Sequence, residues 1–245
     1  MFIILFYFKG SVFYILFIFK LLVLGLGSFV LYSYITESLK VDEITNYKTE
    51  EEKKGAELED KITALISCKK DYKVLTNIII PNLTGKTTEI DILILSRKGF
   101  YVIEAKNYFG AIAGNKDWKK WVVTYNRKKG IKRSFRNPIY QNLNHIKCLR
   151  AMFPRFRFEN LVVFGENSSL SQELFKTPNV KTFKGFEYFL NVALNKKEDI
   201  LTKEEVESVY DFLCRYKEGD REAHIEFVNS IKAKMSSKKE QNQPA

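Results

Sequence analysis

The first 35 residues differ from the rest of the chain because they are almost continuously apolar. Lys9 and Lys20 are the only charged side chains between Met1 and Ile35. A membrane-spanning helix needs about 20 mainly apolar residues, and residues 11–35 exceed that number. The stretch is also longer than the apolar region of a cleaved signal peptide, which has about 7–15 residues and ends at a small-residue cleavage site. The pattern therefore predicts an N-terminal transmembrane helix over residues 11–35.

Beyond this segment, the hydrophobic pattern shows first helical spacing and then strand-like runs. Residues 36–52 are polar and lack periodicity, which predicts a juxtamembrane linker, and helical spacing of apolar residues predicts a helix over about residues 53–67. A β-branched run predicts a strand at residues 74–81. The runs Ile90–Leu95 and Phe100–Ala105 are largely apolar on both faces, which is typical of central strands covered on each side.

A second set of elements follows these strands. Residues 110–124 predict further strand structure, and residues 126–136 predict a basic loop. Asn137 and Pro138 suit the N-cap and the first position of a helix. The predicted buried stripe of that helix consists of Ile139, Leu143, Ile146, Leu149 and Phe153.

Strands and helices continue to alternate toward the C-terminus, which predicts an α/β fold class. Thr202 and Glu205 have the spacing of a capping box at the start of one helix. We divide the soluble part into a main domain at residues 53–166, an α/β extension at residues 167–235 and a disordered tail at residues 236–245. The further predicted elements are strands at residues 161–164 and 180–183 and helices at residues 186–194 and 220–235.

The charge of the chain indicates an anionic partner. The formal net charge is +11, and only two of the positive charges lie in the apolar N-terminal segment. The remaining net charge of +9 suits binding to nucleic acid or to lipid headgroups. Charge alone does not choose between these partners.

The cysteines and lysines predict a cytoplasmic body. Cys68, Cys148 and Cys214 are widely spaced and odd in number, unlike the disulfide framework of an extracellular protein. Lysines after the apolar segment outnumber the one lysine before it, which favours a cytoplasmic C-terminal side. We therefore expect a single-pass protein of the cell membrane with its soluble domain in the cytoplasm.

The two central strands carry three charged residues whose spacing indicates a site. If the turn between the strands is centred between Arg97 and Lys98, opposed residues have numbers that add to 195. Asp91 then lies across from Glu104, with opposed β-carbons about 4.5–5.5 Å apart. Lys106 follows Glu104 by two residues and therefore projects from the same face.

Two adjacent carboxylates in apolar surroundings favour the binding of a cation or a proton. Mg²⁺, or Mn²⁺, would suit Asp91 and Glu104, because such ions use one or two carboxylates together with waters and phosphate oxygens. Lys106 could orient or help deprotonate a water and offset negative charge in a transition state. These are the parts needed to hydrolyse a phosphodiester. The alternative is a cross-strand ion pair on a solvated hairpin.

Several sequence blocks in the same order resemble a known family, the nuclease-related or NERD domain, over about residues 54–165. The Gly-Phe-x-Val-Ile-Glu-x-Lys-Asn-Tyr block is the most specific of them. The resemblance implies a restriction-endonuclease-like core, in which helices flank a mixed central sheet, with a D…E-x-K metal site. The matching residues are Lys54–Glu59, Thr88–Asp91, Gly99–Tyr108, Gly110–Gly114, Trp118 or Trp121, and Asn137–Asn142.

The resemblance also implies individual roles. Asp91 and Glu104 match the metal-binding carboxylates, Lys106 matches the catalytic lysine, and Gln141 matches a glutamine at the start of a following helix. Glu59 matches an acidic residue of the first helix.

Two positions depart from the family pattern. Leu58 replaces a glycine, which leaves Glu57 as a rival of Glu59, and Ile92 stands where the family often has histidine. His145 is expected to be a surface or partly packed histidine and is not included in the site.

The segment from Lys116 to Arg136 combines cations with aromatic residues, including Trp118. Cations can contact phosphates and aromatic rings can stack on unpaired bases. The alternatives are a solvated loop beyond core aromatics and a surface that binds anionic lipid. The predicted nucleic-acid contacts are Lys119, Lys120, Arg127, Lys128, Lys129, Lys132 and Arg133.

Together, these features predict a membrane-anchored, Mg²⁺-dependent nuclease that acts on DNA or, less favoured, on RNA. A catalytically silent module that binds nucleic acid or anionic lipid at the membrane is the alternative. The sequence leaves the oligomeric state open.

Overall fold

The computed structural model describes residues 26, 28–40, 55–82 and 87–217, which fall into two compact units within residues 1–47 and 48–245. In the first unit, residues 28–40 are helical because neither proline nor glycine interrupts them. Residues 36–40 therefore continue a helix where a linker was predicted. No helix among the described residues is long and apolar enough to span a membrane.

Several predictions lie outside the described residues. They are most of the transmembrane segment, residues 41–52 of the linker, the helix at residues 220–235 and the tail at residues 236–245.

The second unit contains nine strands and five α-helices within the described residues. The first helix, α1, covers residues 55–67. The strands are β1 (Tyr72–Pro81), β2 (Thr87–Ser96), β3 (Gly99–Lys106), β4 (Gly110–Ala113), β5 (Lys120–Asn126), β6 (Ile131–Arg136), β7 (Phe158–Phe164), β8 (Ser168–Leu170) and β9 (Val180–Thr182). The other helices are α2 (Pro138–Met152), α3 (Gln172–Phe175), α4 (Phe183–Tyr188), which runs into a π-helical turn (Phe189–Ala193), and α5 (Lys203–Lys217).

The central sheet has five strands in the order β1-β2-β3-β7-β9. β1 and β3 each pair antiparallel with β2, whereas β3, β7 and β9 pair in parallel, so the sheet is mixed. Apolar side chains on both faces of β2 and β3 are buried, as the sequence predicted for central strands. The predicted α/β class, with helices flanking a mixed sheet, is confirmed.

Helices cover both faces of the central sheet. Apolar residues of α1 and α4 pack on the face that includes Ile92 and Ile103. Residues of α2 and α5 pack on the face that includes Leu93 and Val102. Even-numbered positions of β3 therefore face α2, which places Glu104 beneath that helix.

A second sheet, in the order β6-β5-β4-β8, packs beside the first through Trp121 and Phe164, whose ring centroids are 6.2 Å apart. Two glycines make this packing possible. A β-carbon at Gly114 would lie 2.4 Å from the Trp121 ring, and one at Gly110 would lie 2.3 Å from the Thr124 carbonyl oxygen. These contacts explain the Gly-x-Ile-x-Gly block as a packing requirement.

Three element predictions were wrong in detail. The basic loop predicted at residues 126–136 is largely β6, because Ile131 and Phe135 alternate inward while Lys132 and Arg136 point to solvent. Leu143 was predicted in the buried stripe of α2, but it is exposed and its place is taken by polar side chains. The helix predicted at residues 186–194 is two shorter elements beginning at Phe183.

Asn142 attaches α2 to the central sheet. Its amide nitrogen lies 2.7 Å from the Val102 carbonyl oxygen on β3 and 3.0 Å from the Leu161 carbonyl oxygen on β7. The residue is fully buried. Loss of these bonds would leave buried carbonyl groups with fewer partners.

We predict that Asn142→Ala lowers the free energy of unfolding by about 1–3 kcal/mol, measured by urea titration. Asn144→Ala, at an exposed position of the same helix, should change it by less than about 0.5 kcal/mol. Equal losses in the two variants would contradict a specific role of Asn142.

Candidate active site

The register of the β2–β3 hairpin agrees with the sequence prediction. The pairs Ile92↔Ile103 and Ser96↔Gly99 both have numbers that add to 195. Counted from the turn, the ladder ends at the pair Ile92↔Ile103, and Asp91 is the next residue beyond it. On the other side of β2, Asn77 lies opposite Asp91 in the register but has φ 53° and does not pair. Asp91 thus lies where β2 is bonded into neither ladder.

Glu104 is fully buried and lies between two nitrogen-bearing side chains. Nζ of Lys106 lies 2.5 Å from its Oε1, and Nε2 of His145 lies 3.4 Å from its Oε2. The contact with His145 is within ion-pair distance, yet neither Oε2 nor Nε2 makes a hydrogen bond among the described residues. We therefore regard it as a close approach rather than a formed bond. Thr88 Oγ1 holds the other ring nitrogen of His145 at 3.0 Å.

Asp91 carries charge that its surroundings do not neutralise. Its Oδ2 accepts a hydrogen bond of 2.9 Å from the Ala105 backbone N–H. Burial, reinforced by the neighbouring Glu104 carboxylate, raises the pKa of Asp91 to about 7, although Lys106 acts in the opposite direction. A cation would stabilise the ionised form of this carboxyl group.

Glu104 and Lys106 behave as an ion pair. Burial acts to raise the pKa of Glu104, but the contacts with His145 and Lys106 outweigh it and hold that pKa below its ordinary value. Burial acts to lower the pKa of Lys106, but Glu104 and Asp91 outweigh it and raise that pKa. Lys106 is therefore protonated at neutral pH, which suits stabilisation of negative charge rather than proton abstraction.

Glu59, on α1, belongs to the same electrostatic neighbourhood. Its pKa is raised by burial and then by the carboxylates of Glu89 and Glu104, with Lys106 acting in the opposite direction. Glu57 is exposed and lines a separate small pocket beside Asn167. Of the two rival acids, Glu59 is the one near the Asp91–Glu104–Lys106 group.

A cleft of about 540 Å³ opens over Asp91. Gln141, in the first turn of α2, lines it together with Arg136, at the end of β6. Glu104, Lys106 and Glu59 do not line the cleft. The structure thus places Asp91 and Gln141 at the surface of the site and Glu104 behind them. The complete lining is Asn82, Thr88, Glu89, Asp91, Arg136, Gln141, Asn144, His145, Lys147 and Cys148.

His145 is a site residue that the sequence reasoning missed. It is 4% exposed rather than on the surface. Asn142 precedes it by three residues and Leu149 follows it by four, so helical spacing placed it on the buried face of α2. Arg136 was also missed, because its segment was taken for a loop rather than a strand ending at the cleft.

Six of the seven predicted nucleic-acid contacts are exposed, and they lie in three places. Lys119 and Lys120 are exposed near the start of α2, whereas Arg127, Lys128 and Lys129 lie on the far turn of the β5–β6 hairpin, roughly 20 Å away. Lys132 is exposed between them on β6.

Arg133 differs from the other cations because it faces inward. Its Nε donates a hydrogen bond of 2.9 Å to the Tyr125 hydroxyl, and its guanidinium lies 5.4 Å from the centre of the Tyr108 ring. Its expected place among the exposed phosphate contacts is therefore not supported by its position.

Comparison with known proteins agrees with this geometry. Residues 54–165 match the model of the nuclease-related domain family. Over this range the chain is similar to NERD domains. It is also 29% identical, over 173 residues, to an uncharacterized protein of Bacillus anthracis, which covers 67% of this chain and 78% of that relative. No solved structure matches the chain.

Two asparagines close to these charged residues have structural roles. Asn137 caps α2, because its Oδ1 accepts a 2.9 Å hydrogen bond from the Ile139 N–H. Asn142 holds that helix on the sheet, as described above. Asp91, Glu104 and Lys106 differ from these asparagines because they carry charges that are costly to bury.

Asp91 and Glu104 suit a divalent ion of the Mg²⁺ type, although no group of three or more His, Cys, Asp or Glu side chains in the described ranges could hold a metal ion by itself. Among the described residues Oε2 of Glu104 has no hydrogen-bond partner, and burial beside Glu104 disfavours the ionised form of Asp91. Mg²⁺ requires only one or two carboxylates when waters and phosphate oxygens complete its shell. Asp91 and Glu104 would be the ligands.

The raised pKa of Asp91 predicts a pH-dependent effect of Asp91→Asn on stability. The native state binds the proton of this carboxyl group more tightly than the unfolded state, whose pKa is near 3.8. Ionisation of Asp91 therefore destabilises the native state progressively as pH rises from about 4 to about 7. In EDTA, the melting temperature of Asp91→Asn relative to the wild type should rise across this window and level off above it.

Asp60→Asn is the matched control, because it removes a carboxylate at an exposed position of α1. A constant difference between Asp91→Asn and the wild type across this pH range would contradict the raised pKa.

Proposed function

We propose that the chain is a metal-dependent nuclease that hydrolyses phosphodiester bonds of DNA, with RNA as the less favoured substrate. The observation that supports this most strongly is the position of Asp91, which lies at the floor of a cleft beside the buried Glu104–Lys106 pair. The match to the nuclease-related domain family agrees with such chemistry. Mg²⁺, or Mn²⁺, held by Asp91 and Glu104 would polarise a water and neutralise phosphate oxygens.

The surrounding side chains have distinct tasks in this proposal. Lys106 keeps a positive charge beside Glu104 and can stabilise negative charge that develops on the phosphate. His145 limits the orientations open to the Glu104 carboxylate. Gln141 presents an amide to the cleft, where it can orient a water or a phosphate oxygen. Glu59 adds negative potential at the margin of the site.

Cations near the cleft would bind the backbone of the substrate. Lys120 lies opposite Arg136 across the β5–β6 ladder, and Arg136 also lines the cleft. Lys132 lies on the same outer face, four residues before Arg136 on β6. A phosphate backbone that follows this face would lead directly to Asp91. Arg127, Lys128 and Lys129 would be contacted only by a substrate that extends roughly 20 Å further.

A catalytically silent module that binds nucleic acid is the second candidate. The contact of Lys106 with Glu104 favours it, because a tightly paired carboxylate is a weaker ligand for a cation. Both candidates would bind nucleic acid through the exposed cations Lys120, Lys132 and Arg136. They differ in whether a metal binds.

The test is a cleavage assay with single- and double-stranded DNA in Mg²⁺, in Mn²⁺ and in EDTA. We predict that EDTA, Asp91→Asn and Glu104→Gln each abolish cleavage, and that Lys106→Ala lowers the rate by about 100-fold or more. Lys184→Ala, at an exposed position of α4, should leave the rate unchanged.

Metal binding is measured separately as the rise in melting temperature caused by Mg²⁺. That rise should be lost in Asp91→Asn and kept in Lys106→Ala. Wild-type protein that binds DNA but neither cleaves it nor is stabilised by Mg²⁺ or Mn²⁺ would instead support the silent module.

We further propose that the apolar N-terminus anchors the protein in the cell membrane with the body in the cytoplasm. The support is the composition of residues 11–35 and the wide spacing of the three cysteines, for which the described residues show no disulfide. Full-length protein should remain with the membrane pellet after carbonate extraction, and a chain starting at Lys48 should remain in the supernatant. Extraction of the full-length protein by carbonate would rule out a spanning anchor.

A further inference from the structure

Trp118 is the exposed member of the aromatic residues in the basic segment. Its side chain is 54% exposed, whereas Trp121 is fully buried and Phe135 is 8% exposed. Tyr125 is half-buried and accepts a hydrogen bond from Arg133. Three of the four aromatics thus serve the packing of the second sheet. A large exposed indole has no such structural function and suggests a binding role.

The turn that carries Trp118 is held unusually firmly. All five backbone carbonyl groups of residues 115–119 accept hydrogen bonds. Asn137 donates to three of them. Its side-chain amide donates to the carbonyl oxygens of Lys116 at 3.1 Å and Trp118 at 2.7 Å, and its backbone N–H donates to that of Lys119 at 3.0 Å. The Trp121 indole N–H donates to the Asn115 carbonyl oxygen at 2.8 Å, and the Tyr140 hydroxyl donates to the carbonyl oxygen of residue 117 at 3.3 Å.

Such a fixed backbone lowers the entropic cost of using the indole as a contact. A ring on a pre-organised turn loses less freedom on binding than a ring on a loose loop. The hydrogen bonds from Asn137 also fix the turn that carries the indole relative to α2, because Asn137 is the N-cap of that helix. Gln141, whose N–H bonds Asn137 O at 3.1 Å, lies about 6 Å further along the helix axis and lines the cleft.

The charges around Trp118 suit a nucleic-acid strand. Lys116, Lys119 and Lys120 are exposed in the same stretch. The exposed acids beside it are Asp117 and Glu173, which accepts a hydrogen bond from the Asn115 side chain. Arg136, which directly precedes Asn137, lines the cleft. An aromatic face beside cations is the arrangement that binds single strands, because bases stack on the ring while cations contact the phosphates.

We propose that Trp118 stacks on an unpaired base of the substrate, and that the preferred substrate class is therefore single-stranded nucleic acid. This inference rests on the proposed function, since it requires that the cleft binds a nucleic-acid backbone. In an intact duplex the bases are stacked on one another and offer no free face to the indole. The single strand would pass from Trp118 over Arg136 to Asp91.

The test measures binding of full-length protein, in nanodiscs of neutral lipid and in EDTA, to a single-stranded oligonucleotide and to its blunt duplex. Trp118 and Trp121 are the two tryptophans of the chain, and Trp121 is buried, so quenching of tryptophan emission reports on Trp118. We expect the single strand to quench the emission and to bind more tightly than the duplex. Trp118→Ala should weaken single-strand binding roughly tenfold without changing its salt dependence.

Two further variants complete the experiment. Trp118→Phe keeps an aromatic face and should retain most of the affinity, which also guards against loss of folding in the alanine variant. The double variant Lys120→Ala/Arg136→Ala should weaken single strand and duplex alike and flatten the salt dependence, because it removes phosphate contacts.

The outcomes separate this inference from the proposed function. Equal affinity of Trp118→Ala and the wild type for the single strand, with a normal salt dependence, would overturn the stacking role and leave the nuclease proposal intact. Failure of the wild type to bind either oligonucleotide would overturn both. A change of Trp118 emission on adding phosphatidylserine to the nanodiscs, with none on adding oligonucleotide, would assign the indole to the membrane surface and overturn the inference.

Discussion

The ion pair between Glu104 and Lys106 is the interaction on which the arrangement of the site depends. A carboxylate in the middle of a buried strand is costly unless cations or donors compensate it. Lys106 compensates one oxygen of Glu104, and it can do so because the two residues are two positions apart on β3 and project from the same face. Within the described part of the chain, His145 is the cationic or neutral nitrogen side chain that approaches the second oxygen, at 3.4 Å. The fold thus neutralises Glu104 in part and leaves one buried oxygen available.

Helix α2 couples this interior pair to the surface. Asn142 holds the helix on β3 and β7, which fixes His145 opposite Glu104. One turn earlier, Asn137 both caps the helix and binds the turn that carries Trp118. Gln141 lies between these two contacts and faces the cleft. A single helix therefore positions the buried end of the site, its opening and the exposed aromatic ring.

The sequence predicted the parts of the site that depend on short-range geometry. The register of the β2–β3 hairpin follows from its tight turn, so the placement of Asp91 near Glu104 and Lys106 could be derived by counting residues. The buried polar face of α2 could not be derived from the sequence, because Asn142 and His145 look like surface residues until the strands beneath the helix are known. A hydrophobic stripe chosen by residue type accordingly selected Leu143, although helical spacing was compatible with the polar positions.

Strand β6 was also predicted wrongly because its structure depends on a partner strand. Its four polar or charged residues out of six indicate a loop when read by composition, but β5 provides a partner that makes one face of it buried. The consequence for the site was the omission of Arg136, which lies opposite Lys120 at the end of that ladder.

The difference between Asp91 and Glu104 shows why the site favours a cation rather than a simple ion pair. One lysine cannot neutralise two carboxylates, and the geometry assigns it to Glu104, which it contacts directly. Among the described residues the hydrogen-bond donor to Asp91 is the Ala105 backbone N–H, in a position where β2 is bonded to neither neighbouring strand. The site can relieve the remaining charge by binding a proton or a metal ion. Because Asp91 faces the cleft, a metal bound there would also meet an entering phosphate, so the unbalanced charge and the proposed chemistry coincide at one residue.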